Sequence, residues 1–291
     1  MARSLLHCSD VHFGPKHHRP RVTAGLLELI EARRPDLVVV SGDLTERAKP
    51  AQFRAAREFL GRIQVPTLAV PGNHDVPMYR LLFMERIFAP FHAYRTHFSA
   101  DLEPVYRDEE MLVIGVNSAF NWTLKGGRIT LRRLRELGEL LAGAPAHLVK
   151  AVVVHHPLIP PPGAGSRDVL RHAGRAMDLF SAAGVDLVLS GHMHQAYTGS
   201  SEEGRYPRGR RPVLVVHSGT TTTSRGRGGE RQRNTCNWIR IDGRTISVLP
   251  YAWEPALGRF VEQSRQPDPG GGAAPSTLGG PAVASRGGPA V

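Results

Sequence analysis

The sequence predicts an α/β fold: a mainly parallel sheet with covering helices, and a second, more antiparallel sheet packed on it. Two observations carry this. Up to residue 191, short β-branched apolar runs alternate with longer helix-like stretches, the signature of βαβ crossovers. Beyond residue 199, strand-like runs follow one another with no helix between them, as hairpins do.

Taken in order, SLLHCS (4–9) reads as a strand and VTAGLLELIEARR (22–34) as an amphipathic helix. DLVVVS (36–41) is a strand, PAQFRAAREFLGRI (50–63) a helix and TLAVP (67–71) a strand. MLVIGVNS (111–118) is the next strand, and TLRRLRELGELLAG (130–143) a helix that Thr130 can N-cap and that ends near Gly143. HLVKAVVVHHP (147–157), DVLRHAGRAMDLFSAAG (168–184) and VDLVLSG (185–191) repeat the strand–helix–strand order. The late strands are PVLVVHSG (212–219), NWIRID (237–242) and TISVLPYAW (245–253), the last two joined by a tight Asp-Gly turn at 241–245.

Residues 1–263 read as the folded domain. From 264 to 291 the chain is rich in Gly, Pro and Ala with few large apolar groups. Such a segment cannot bury enough surface to offset its ordering entropy, so it is expected to be a disordered tail. Between 200 and 233 lie two Arg- and Gly-rich loops, EEGRYPRGRRP and SRGRGGERQRN, read as surface loops or anion contacts.

With 41% hydrophobic and 22% charged residues the composition is that of a soluble globular protein. No apolar run reaches the ~20 residues of a membrane span, and MARSLLHCSDVH is too short in its apolar part for a signal peptide. No membrane partner and a cytoplasmic location are therefore expected. Two cysteines, Cys8 and Cys236, make neither a disulfide framework nor a thiolate metal site, although a bridge between them stays open. The net charge of +11 suits anionic partners, nucleic acid included, but equally reflects an Arg-rich composition.

The chemistry lies where the strands stop. The first ends in Asp10-Val11-His12, the second in Gly42-Asp43, the third in Gly72-Asn73-His74-Asp75, the fourth in His155-His156 and the fifth in Gly191-His192-Met193-His194. In an open α/β sheet the carboxyl edge of the strands is where ligands bind, so residues 180 positions apart meet there. Each motif alone is a common turn or a satisfied histidine. Together they form a set of carboxylate, amide and imidazole groups without a cysteine, which suits Mn, Fe or Zn. Seven ligands are too many for one tetrahedral site and about right for two ions that share a carboxylate.

This set resembles the calcineurin-like metallophosphoesterase superfamily over residues 4 to about 250. The resemblance implies a four-layer α/β/β/α sandwich of two mixed sheets flanked by helices, and two divalent ions as cofactors. It implies that Asp10, His12, Asp43 and His194 hold one ion, and that Asp43, Asn73, His155 and His192 hold the other. His74 is then the catalytic histidine, oriented by Asp75, and His156 stands behind the ligands. One departure is GDLTE, with Glu46 where the family often has Asp.

The reaction so implied is hydrolysis of a phosphate ester by a water activated between the two ions, with His74 serving the leaving oxygen. The motif set looks most like bacterial members related to cyclic-nucleotide phosphodiesterases, so the expected substrates are small phosphodiesters, cyclic nucleotides among them. Two alternatives are a metal-dependent DNA nuclease, which LLHCSDVHFG and the positive charge favour, and a phosphoesterase fold kept as a non-catalytic binding module. Specificity candidates are His17, His18, Asn117, Trp122 and Arg128; equally, the segment NSAFNWTLKGGRI is a polar surface loop with Trp122 packed beneath. Oligomeric state is not legible.

Overall fold

The computed structural model describes residues 2–78, 83–123, 125–165, 168–202, 211–227 and 230–263. The expected tail at 264–291 and parts of the two Arg-rich loops, 203–210 and 228–229, lie outside the described residues.

The chain opens with β1 (Arg3–Cys8), α1 (Pro20–Arg33), β2 (Leu37–Val40), α2 (Pro50–Gly61) and β3 (Thr67–Ala69). Proline at the first helical position starts both α1 and α2, where its missing N–H costs nothing. Two short helices, α3 (Phe83–Phe88) and α4 (His92–His97), lead into β4 (Val105–Arg107), β5 (Met111–Val116), β6 (Gly127–Arg128) and α5 (Leu131–Gly143). Thr130 caps α5 as expected, its Oγ1 accepting from Arg133 N at 3.2 Å. Then come β7 (Val149–Val154), β8 (Leu170–Arg171), α6 (Ala173–Ala182), β9 (Leu187–Ser190), β10 (Tyr197–Ser200), β11 (Leu214–His217), β12 (Thr235–Asp242), β13 (Thr245–Glu254) and β14 (Arg259–Glu262).

Two six-stranded mixed sheets result, ordered β14-β13-β12-β1-β2-β3 and β10-β11-β9-β7-β5-β4. The expectation that the late strands form a separate sheet is corrected. β12 to β14 extend the first sheet, with β12 antiparallel to β1 (Leu5 opposite Ile239), whereas β11 runs parallel to β9 in the second. The chain passes to the second sheet after β3 and returns to the first after β11. The predicted helix over 168–184 is also corrected. Its first turn is instead β8, paired with β6, and the left-handed backbone of His172 (φ 61°) separates that pair from α6. The Asp-Gly turn is as predicted: Asp242 pairs with Thr245 around Gly243.

Three apolar cores define four layers. One, with Leu26, Phe53 and Tyr94, lies between the first sheet and α1, α2 and α4. Another, with Leu137, Leu141 and Phe180, lies between the second sheet and α5 and α6. The third, with Leu5, Val39, Val113 and Leu189, joins the sheets face to face. Strands such as β5 and β7 are buried along their whole length because both faces are covered. Both cysteines are free and buried. Among the described residues no helix is long and apolar enough to cross a membrane.

His7 and His217 are fully buried, and neither ring nitrogen of His217 has a hydrogen-bond partner. Burial, aided at His7 by the neighbouring His217, pushes both imidazoles down to about 3. Each stays neutral in the native protein, while the unfolded chain takes up a proton below about pH 6.5. The contribution of these two histidines to stability is therefore complete above that pH and falls as pH drops toward 3, by about 1.4 kcal/mol per pH unit for each. Denaturant unfolding of the metal-free protein at pH 7, 6 and 5 should show this, and His217→Phe should flatten the slope. An unchanged slope in that variant would contradict it.

Candidate metal centre

The carboxyl ends of β1, β2, β3, β7 and β9 bring all seven expected ligands into one buried cluster. His12 Nε2 lies 3.6 Å from Asp10 Oδ1 and 3.6 Å from Asp43 Oδ2, and His194 Nε2 lies 3.6 Å from Asp10 Oδ1. On the other side, His155 Nε2 is 3.4 Å from Asp43 Oδ1 and 3.2 Å from Asn73 Oδ1. Two of the cation-sized groupings are Asp10–His12–His194 and Asp10–Asp43–His155, with donor atoms within 4.8 Å of one another. His156, expected behind the ligands, comes within the same reach of His155 and His192, while its Nδ1 meets Ser118 Oγ at 2.8 Å.

The remaining hydrogen bonds aim the rings. His12 Nδ1 donates to Thr45 O at 3.1 Å and His155 Nδ1 to Ser41 O at 2.7 Å. A carbonyl can only accept, so the proton sits on Nδ1 and, in the neutral ring, the lone pair on Nε2 faces the cluster. His194 Nδ1 meets Thr220 Oγ1 at 2.8 Å to the same end. Asp10 Oδ1, His12 Nε2, Asp43 Oδ2 and His192 Nε2 are buried without any hydrogen-bond partner. Such groups are costly unless something meets them, and a divalent ion would do so.

The charges agree. Burial opposes ionisation of Asp10 and Asp43, yet His194 and His12 beside Asp10, and His155 and His74 beside Asp43, hold both carboxyls well below their usual range. Burial keeps His192 and His194 neutral, down to about 3. Burial also lowers His155, but Asp43 outweighs it and raises that ring to about 9. In the ion-free protein His155 is therefore protonated, and that proton offsets the carboxylate charge.

Five of the expected ligands, Asp10, His12, Asp43, His192 and His194, have left-handed backbones with φ between 40° and 69°. Ordinary residues rarely adopt this conformation, and it concentrates at functional sites. Gly72 and Gly191 let the loops close on the carboxylates: a Cβ at Gly72 would lie 2.2 Å from Asp43 Oδ1, and one at Gly191 2.6 Å from Asp10 Oδ2.

His74 is half-buried and edge-on to His12, with ring centroids 4.8 Å apart. Its N–H donates to Asp43 Oδ1 at 2.8 Å and its Nδ1 to Glu46 O at 3.0 Å. Burial lowers its pKa; Asp43 opposes this, while His12 and Arg225 add to it. The expectation that Asp75 orients this ring is corrected. Asp75 instead accepts from Gly72 N (2.9 Å), Leu44 N (3.0 Å), Thr45 N (2.8 Å) and Thr45 Oγ1 (2.9 Å), splicing two ligand loops together. The carboxylate is spent on backbone donors, so a main-chain carbonyl holds the ring. The unusual Glu46 side chain turns toward the first loop, where Oε2 accepts from Lys16 N at 3.3 Å.

Of the specificity candidates, His18 Nε2 meets Thr23 Oγ1 at 2.8 Å and Asn117 accepts from Ala119 N at 2.9 Å, which are local structural roles. Arg128 lies over the Phe120 ring, and His17 lies 3.8 Å from Glu46. Trp122 is 67% exposed and not packed beneath its loop. Sequence reasoning missed Thr220 and Arg225. The run of four threonines after β11 was the available signal, since four buried hydroxyls in a row need partners. Thr220→Val keeps the shape and removes the acceptor at His194, so it should weaken metal affinity about 10–100-fold with the fold intact. Metal titration of the apo variant checks this.

Fold and site together define an α/β protein with a buried carboxylate–imidazole cluster suited to cations at the carboxyl edge of two sheets. The chain belongs to the calcineurin-like phosphoesterase family, whose model matches residues 3–196. It is 39% identical over 80 residues to a glycerophosphodiester phosphodiesterase of Enterobacter lignolyticus, covering 24% of this chain and 29% of that protein. The chain thus spans less than a third of that relative's length. It is 27% identical over 275 residues to a cAMP/cGMP dual specificity phosphodiesterase of Mycobacterium tuberculosis, covering 88% and 82% respectively. It shares its fold with a purple acid phosphatase from yellow lupin seeds, with a TM-score of 0.68 at 12% identity over 90% of this chain and 53% of that one.

Proposed function

We propose that this protein is a two-metal phosphodiesterase acting on small phosphodiesters, cyclic nucleotides included. The carrying observation is the orphaned set of Asp10 Oδ1, His12 Nε2, Asp43 Oδ2 and His192 Nε2, buried together with their neighbours' hydrogen bonds spent elsewhere. Asp10, His12, Asp43 and His194 would hold one ion, and Asp43, Asn73, His155 and His192 the other. Relatives named as glycerophosphodiester and cyclic-nucleotide phosphodiesterases support a diester substrate.

Bound divalent ions would supply Lewis-acid activation of water and neutralise charge on the phosphoryl oxygens. The chain's own residues do the rest. Nδ1–H of His74 is committed to Glu46 O, so Nε2 is the atom that takes and returns a proton. One P–O bond forms to the oxygen of water, another breaks to the alcohol, and a proton taken up at Nε2 is delivered to the departing oxygen. The carbonyls of Thr45 and Ser41 and the Thr220 hydroxyl keep the ligand rings from turning during turnover.

The test is hydrolysis of bis(p-nitrophenyl) phosphate against p-nitrophenyl phosphate, after chelation and after adding Mn. Metal-dependent cleavage that favours the diester supports the reading. Metal-loaded protein that cleaves neither ester refutes it.

A further inference from the structure

The segment after β11 crosses the cluster. Thr221 N donates to Ser9 O at 3.1 Å and Thr222 Oγ1 to Val11 O at 2.9 Å, fastening it to the first ligand loop. Further on, Ser224 N donates to His17 O at 3.0 Å, Arg227 N donates to His194 O at 3.3 Å, and the Arg227 guanidinium lies 3.6 Å from Asp168. Arg225 is thus held between anchored neighbours. Its Nη2 lies 3.2 Å from His74 Nε2 and its Nη1 3.3 Å from His74 Nδ1. The Nδ1 proton already serves Glu46 O, so the guanidinium donates to the Nε2 lone pair.

This is an unusual use of an arginine. The side chain is half-buried, and no described carboxylate pairs with it. A guanidinium is a planar fork that matches two oxygens of a carboxylate or phosphate, and a neutral imidazole uses it poorly. It is also a fixed positive charge beside a cluster that itself collects cations, a combination suited to receiving an anion.

We propose that Arg225 is the phosphate clamp of this site: its fork takes the non-bridging oxygens of the phosphodiester, and rests on His74 Nε2 until they arrive. The inference rests on the phosphoesterase reading above. It adds a coupling. When the fork turns to phosphate, Nε2 is released, so the proton-transfer atom is freed only when substrate is seated.

The experiment is calorimetric titration of inorganic phosphate into Mn-loaded wild type, Arg225→Ala and Arg225→Lys. Metal content, melting temperature and steady-state kinetics on bis(p-nitrophenyl) phosphate accompany it. Arg225→Ala is expected to keep its metals and melting temperature, to bind phosphate about 10–100-fold more weakly, and to raise KM more than it lowers kcat. Arg225→Lys keeps the charge without the fork and should recover part of the phosphate affinity. Wild-type phosphate affinity in Arg225→Ala overturns the clamp, and so does loss of metal, which would make Arg225 a structural strap. If the wild type neither binds phosphate nor cleaves the diester, the phosphoesterase reading fails and the clamp with it. If the wild type does both and Arg225→Ala matches it, the clamp alone fails.

Discussion

Asp43→Ala is expected to lower the metal content of the purified protein and to cut diesterase activity by at least about 10²–10³-fold, the scale of losing one electrostatic group from an active site. Both oxygens of Asp43 face the cluster. Oδ2 faces His12 at 3.6 Å, while Oδ1 faces His155 at 3.4 Å and accepts the His74 N–H at 2.8 Å. Asp10 is placed similarly, with Oδ1 3.6 Å from His12 and His194 and Oδ2 accepting His192 N at 3.0 Å. Alanine at φ 54° adds backbone strain of its own. Asp43→Asn is the cleaner companion, because Asn tolerates that conformation and removes only the charge. Without the carboxylate, the His155 ring should also lose most of its upward displacement, which NMR titration of the apo protein reads directly. Full metal occupancy in both variants would falsify the shared-ligand assignment.

His74→Ala should separate chemistry from metal binding. The ring lies edge-on to His12 and faces Arg225, and its backbone N–H donates to Asp43. Alanine keeps that N–H. Metal content should hold, while turnover falls about 10²–10⁴-fold, the range for a lost general acid–base group. Elemental analysis beside kcat decides the matter: a variant that loses metal makes His74 a ligand, and one that keeps both metal and turnover removes it from the mechanism.

The five strand ends were legible because each is local: an apolar run followed within a few residues by Asp, Asn or His. The Asp-Gly turn and the Thr130 cap were legible for the same reason. The sheet partition was not. β1 pairs with β12 across more than 230 residues, and an apolar strand names its buried faces but not its neighbour. The early start assigned to α6 has a local cause: DVLRHAGRAMDLF is helix-like from Asp168, and nothing in it signals the left-handed turn at His172. The Asp75 contact failed differently. A carboxylate beside a histidine in sequence invites pairing, but the short helical turn at Asn73–Asp75 points it at the amides of residues 44, 45 and 72. Arg225 was hidden among many arginines, and only the anchoring of Ser224 and Arg227 singles it out.

The left-handed ligands have a consequence for heat resistance. At roughly 1–2 kcal/mol each, five such residues burden the empty protein by an amount comparable with the whole margin of a domain. Ions bound there would act as rivets between the two sheets, since the first sheet delivers Asp10, His12, Asp43 and Asn73 and the second delivers His155, His192 and His194. Chelation should then do more than silence the protein. It should leave the sandwich ajar along one edge, with amide exchange quickening at residues 10–12, 42–43 and 191–194 while the far ends of the same strands stay protected.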